Sequence, residues 1–113
     1  MAYDEQLADR IRKIFTSKRI RTVEKRMFGG LCFMVKDKMC VGVVKDELMA
    51  RIDPEVYQDA LLRKGCREMV FTGKPMKGYV FVDESGISND KLLTDWIQLA
   101  IDFNPKAKSS KKK

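Results

Sequence analysis

The chain has 113 residues, of which 44% are apolar and 35% charged, and its formal net charge is +7. That length suits one domain, and the composition is that of a globule that folds without a metal or disulfide staple. It excludes a disordered chain, and the apolar stretches are too short for a membrane-crossing helix.

The charge is unevenly placed. Lys106, Lys108, Lys111, Lys112 and Lys113 crowd the end of the sequence, and without them 18 basic residues face 16 acidic ones. The basic character therefore belongs mostly to the tail, and the body has little of the excess expected of a nucleic-acid-binding surface. The start, Met1-Ala2-Tyr3-Asp4-Glu5-Gln6, is polar and acidic, the reverse of a secretion leader. Cys32, Cys40 and Cys66 are odd in number and lie in apolar runs, which predicts reduced, packed thiols in a cytoplasmic protein.

In chain order, Asp4 suits the cap of a first helix whose apolar face is Leu7, Ala8, Ile11, Ile14 and Phe15. Strands are predicted at residues 21–28, 31–35, 39–44 and 48–52, separated by Gly29-Gly30 and by the polar turns Lys36-Asp37-Lys38 and Lys45-Asp46-Glu47. Asp53-Pro54-Glu55 is a helix start with cap, first-turn proline and dipole-matched acid, and Gly65 suits a left-handed end after Arg63 and Lys64. Strands are predicted again at 66–72 and 79–82, with 73–78 as the loop between them. Ser88 or Asn89 caps a last helix with the stripe Leu92, Leu93, Trp96, Ile97, Ala100 and Phe103, and Asn104-Pro105 stops it. The order helix, four strands, helix, two strands, helix predicts an α+β fold: an antiparallel sheet of about six strands with three helices on one side. Residues 1–105 are read as the domain and 106–113 as a disordered Lys/Ser-rich tail.

The chemistry is sparse. There is no histidine, which removes the commonest general base, the commonest metal ligand and any Ser-His or Cys-His pair. The cysteines lack the spacing of a zinc site, and Gly29-Gly30 leads into a strand where a phosphate loop would open a helix. No catalytic residue, metal site or cofactor is expected.

The run Lys25-Arg26-Met27-Phe28-Gly29-Gly30-Leu31-Cys32-Phe33-Met34-Val35 resembles the signature of the TfoX (Sxy) N-terminal domain family. So do Met39-Cys40, Leu48-Met49-Ala50-Arg51, Asp53-Pro54-Glu55 and the later block from Phe71 through Gly73-Lys74-Pro75-Met76-Lys77-Gly78 to Val80. The resemblance runs from about Tyr3 to Phe103. It implies a two-layer α/β sandwich on an antiparallel sheet, similar to secretion chaperones, and a role in competence and transcription regulation. Long members carry a second helical domain, and relatives tend to have Asn-Gly where this chain has Asp37-Lys38. The family brings no established catalytic residues.

The expected function is a regulatory, non-catalytic protein-interaction module with an unidentified protein partner. The alternative is a nucleic-acid-binding accessory protein acting weakly and non-specifically through Lys106, Lys108, Lys111, Lys112 and Lys113. A dimer is compatible with either. The candidate partner-binding residues are Lys25, Phe28, Gly29, Gly30, Lys74, Met76, Lys77 and Gly78, in two segments expected to meet at one edge of the sheet.

Overall fold

The computed structural model describes residues 3–27, 29–71 and 73–107, without the side chains of Met27, Phe71 and Pro75. Helix α1 (Glu5–Ser17) starts where expected, because the Asp4 carboxylate accepts from the backbone N–H groups of Gln6 and Leu7 at 2.8 and 3.2 Å. Four antiparallel strands follow: β1 (Val23–Met27), β2 (Gly30–Val35), β3 (Lys38–Val44) and β4 (Glu47–Arg51). Helix α2 (Tyr57–Leu61), strands β5 (Cys66–Phe71) and β6 (Lys74–Val82) and helix α3 (Asp90–Phe103) complete the order. The sheet runs β1-β2-β3-β4-β6-β5.

The sequence reading and the structure agree on the order of elements; Leu92, read as part of the buried stripe of α3, is exposed, and the boundaries differ in three places. Asp53 caps a 3-10 turn, Pro54–Val56, so α2 proper is only five residues long and Arg63 and Lys64 fall outside it. Strand β6 begins at Lys74, so 74–78 is strand and not loop. Pro75 is tolerated there because β4 pairs only with Tyr79–Val82, leaving Pro75 with β5 alone. The body also runs past residue 105: Asn104–Lys106 forms a 3-10 turn and Ala107 is buried.

The sheet has two apolar faces. All three helices lie against one of them, where α1 brings Leu7, Ile11 and Phe15 and α3 brings Leu93, Trp96 and Ile97. They meet Phe33, Val41, Val43, Leu48, Val80 and Val82, and the rings of Phe15 and Phe33 stack with centroids 6.1 Å apart. The opposite face was not foreseen. It gathers Cys32, Met34, Met39, Met49 and Met69, with Met76, Tyr79 and Phe81 packed against them. Every described member of this second cluster comes from a strand.

A bulge helps divide the residues between faces. Phe33 pairs with Val41 and Met34 with Met39, so Cys40 is the extra residue and turns toward the helices. The β2–β3 connection is the pair Lys36-Asp37, both at positive φ (52° and 65°), the conformation of a type I′ hairpin turn.

Candidate functional site

The two segments expected to form one binding edge lie apart. Lys25, Gly29 and Gly30 belong to the β1–β2 hairpin at one edge of the sheet, and Lys74 and Met76 to the β5–β6 hairpin at the other. Because the strands alternate in direction, the two hairpin ends also point to opposite ends of the sheet, at diagonal corners. The expected meeting of these loops is therefore corrected. Met76 packs on the methionine cluster. Gly30 is demanded by packing, since a Cβ there would overlap the carbonyl oxygen of Val43. Phe28, Lys108, Lys111, Lys112 and Lys113 lie outside the described residues.

Lys77, Gly78 and Lys106 do come together, with three residues that the sequence reading missed. They border a cleft of about 230 Å³ with Arg51, Tyr79 and Phe103. Arg51 and Tyr79 are cross-strand partners in the β4–β6 register, so they stand side by side on one face. The Arg51 guanidinium carbon lies 5.4 Å from the Tyr79 ring centre and 5.8 Å from that of Phe103, a cation held between two aromatic walls. The nearest signal in the sequence was an arginine closing the apolar strand Leu48-Met49-Ala50, where a core position would carry an apolar residue.

The backbone around the cleft is fixed from two sides. Ile52 N–H donates to Gly78 O at 2.7 Å, and Gly78 sits at φ +90°, where an added Cβ would press within 3.1 Å of Ile52 O. On the other side the buried Asn104 amide donates to Val35 O at 3.2 Å. Lys38 Nζ donates to Asn104 O at 3.1 Å and to Pro105 O at 3.4 Å. These bonds tie the end of α3 to the β2–β3 hairpin and hold Lys106 beside the cleft.

The charge lining the cleft is positive. Arg51, Lys77 and Lys106 line it, and the Asp53 carboxylate reaches Lys106 Nζ at 3.4 Å. That carboxyl is held below its ordinary value, first by the backbone N–H of Glu55 and then by Lys106, so it stays ionised and offsets part of the lysine charge. The volume suits one side-chain-sized group more than a large cofactor. A carboxylate or phosphate carried on an apolar stem fits the combination of cations and rings.

Burial pushes the Cys32 and Cys66 thiols up to about 11 and Cys40 to about 12, so all three are protonated and slow to react. Burial, then Glu68, raises Tyr57. A cavity of about 310 Å³ at the opposite end of the sheet carries Asp4, Asp46 and Glu84. Asp4 is spent as the α1 cap there, and Arg10 binds Asp90 and Ile87 O. Among the described residues no group of three or more His, Cys, Asp or Glu could hold a metal ion. No helix among them is long and apolar enough to cross a membrane.

Fold and cleft together describe a small α+β domain with a basic, ring-walled cleft at one end of its sheet. The chain matches the TfoX N-terminal domain over residues 16–104, from the end of α1 to the turn after α3, and belongs to that family. The family is a regulatory one, associated with competence and not with enzymatic activity. No curated protein and no solved structure matches the chain.

Proposed function

We propose that this chain is a cytoplasmic regulatory module without catalytic chemistry, and that a protein partner docks by placing an acidic side chain in the Arg51–Lys77–Lys106 cleft. The observation that carries the reading is the convergence of three cations and two rings on one cavity of about 230 Å³. Family membership supports the regulatory role, and the absence of histidine from the sequence agrees with a binding function. The acid enters between the lysines while its stem packs on Tyr79 and Phe103, an apolar centre with a basic rim.

One observation favours a second reading. Lys106 borders the cleft, and the chain continues from it into Lys108 and Lys111 to Lys113, so a nucleic-acid strand held at the cleft would meet further cations. Partner capture from nuclease-treated lysate separates the two. The protein-partner reading expects capture to survive nuclease and removal of residues 108–113, and to be lost in Lys77→Glu/Lys106→Glu with melting unchanged. Capture abolished by nuclease and by the truncation replaces that reading with the nucleic-acid one. Capture unaffected by the double charge reversal removes the cleft from both.

A further inference from the structure

Strand β1 has a neighbour on one side only, since the sheet order begins with it. Its outer backbone edge is therefore open to strand pairing. Beside its first residues lies a cavity of about 460 Å³, floored by Ile20, Val23 and Met34 and rimmed by Arg19, Arg21 and Lys36. Val23 is 59% exposed there, unusual for a valine in a strand. The three rim cations enter no ion pair among the described residues. Asp37 is the carboxylate at this rim.

The charge continues along the strand. Lys25 and Arg26 are exposed and enter no ion pair among the described residues. The one acid of β1, Glu24, is gripped by Arg12 through two bonds of 2.7 and 2.8 Å. The open edge thus presents an apolar notch followed by two adjacent cations, one for each face of an incoming strand. Pairing with a second copy is opposed by this pattern, because two β1 strands side by side would set Lys25 and Arg26 near their own copies. An acidic strand has the complementary charge.

We propose that β1 accepts a strand from a protein partner: an extended segment with an apolar side chain beside Val23 and two acids opposite Lys25 and Arg26. Main-chain bonds to the open edge supply affinity, and the notch and the cation pair set register and choice of partner. This surface is separate from the Arg51–Lys77–Lys106 cleft and does not depend on what the cleft holds.

The test is a titration of isotope-labelled protein with a short synthetic peptide of alternating Val and Thr that carries one Asp-Glu pair. The expected result is amide shifts and slowed hydrogen exchange concentrated on residues 22–27. Val23→Asp, and separately Lys25→Glu/Arg26→Glu, should each weaken binding about tenfold while leaving the melting temperature unchanged, since all three side chains are exposed. Shifts centred on β5 or on the cleft overturn the proposal. So does equal binding of a peptide with Lys-Lys in place of Asp-Glu. Equal perturbation of β1 by a short single-stranded DNA replaces the protein strand with nucleic acid. Self-association that Val23→Asp abolishes, seen by sedimentation of the protein alone, replaces it with a second copy.

Discussion

Leu48 and Met49 are neighbours in β4, both fully buried, and they point to opposite faces of the sheet. Leu48 joins a core of branched and aromatic side chains shared by strands and helices, among them Trp96, Ile97 and Phe15. Met49 joins a cluster of methionines and one cysteine drawn from strands alone. Branched and aromatic side chains have few rotamers, so the helix-side core fixes where each helix sits. Methionine is unbranched and polarisable, and fills whatever shape a twisted sheet leaves. Fold specification is therefore concentrated on one face, while the other supplies buried area with little demand on shape.

The largest expected effect tests the specifying face. Trp96→Ala should destabilise by about 3–5 kcal/mol, because it empties the centre of α3's buried stripe and removes the ring that Arg63 covers at 5.1 Å. Denaturant unfolding measures it, and a loss no larger than that of an exposed-site variant would break the comparison. Next come the two neighbours. Leu48→Ala and Met49→Ala each fall within about 2–5 kcal/mol, with Met49→Ala the smaller, and Met49→Leu should cost less than about 1.5 kcal/mol. A Met49→Ala loss exceeding that of Leu48→Ala would show that the methionine face is as exacting as the other.

Smaller effects sharpen the same contrast at its margins. Lys36→Asn with Asp37→Gly should stabilise by about 1 kcal/mol, since both residues hold positive φ that asparagine and glycine adopt more easily. A rise in melting temperature is the readout, and a fall would mean that these side chains are needed where they stand. The smallest effect is at the rim of the helix side. Arg12 holds the Glu24 carboxyl below its ordinary value of 4.5, so its contribution is present above that pH and is lost as pH falls through the lowered value. Both side chains are about a third exposed, so Glu24→Gln should cost at most about 1 kcal/mol at neutral pH and flatten the acid limb of the stability profile.

Element order and the helix faces were legible because capping residues and spacing act locally. Asp4, Asp53 and Asn89 cap as their chemistry suggests, and Gly65 takes φ +79°. The second face was hidden by its own composition. Met34 sits between Phe33 and Val35 and Met49 between Leu48 and Ala50, all four of which face the helices, so β2 and β4 read as continuous apolar runs with no alternation to reveal two sides. The cleft was half legible. Lys77, Gly78 and Lys106 stood out as unusual loop or tail residues, but their meeting with Arg51, Tyr79 and Phe103 depends on the β4–β6 register and on the Asn104 bond, which join residues distant in the chain. The expected union of the two hairpins failed for the same reason, since strand order is a long-range property.

The three thiols are distributed as if to report on the sheet one side at a time. Cys40 is sealed in the helix-side core, Cys32 in the strand-only cluster, and Cys66 is only partly covered at the start of β5. A thiol reagent reaches Cys40 when the helix layer lifts and Cys32 when the methionine cluster over it loosens, so each labelling rate clocks a different opening of the same molecule. The unmodified chain thus carries its own stopwatch for which face breathes first, and the order of the two rates says whether the helices leave the sheet before the methionine cluster on its other side loosens.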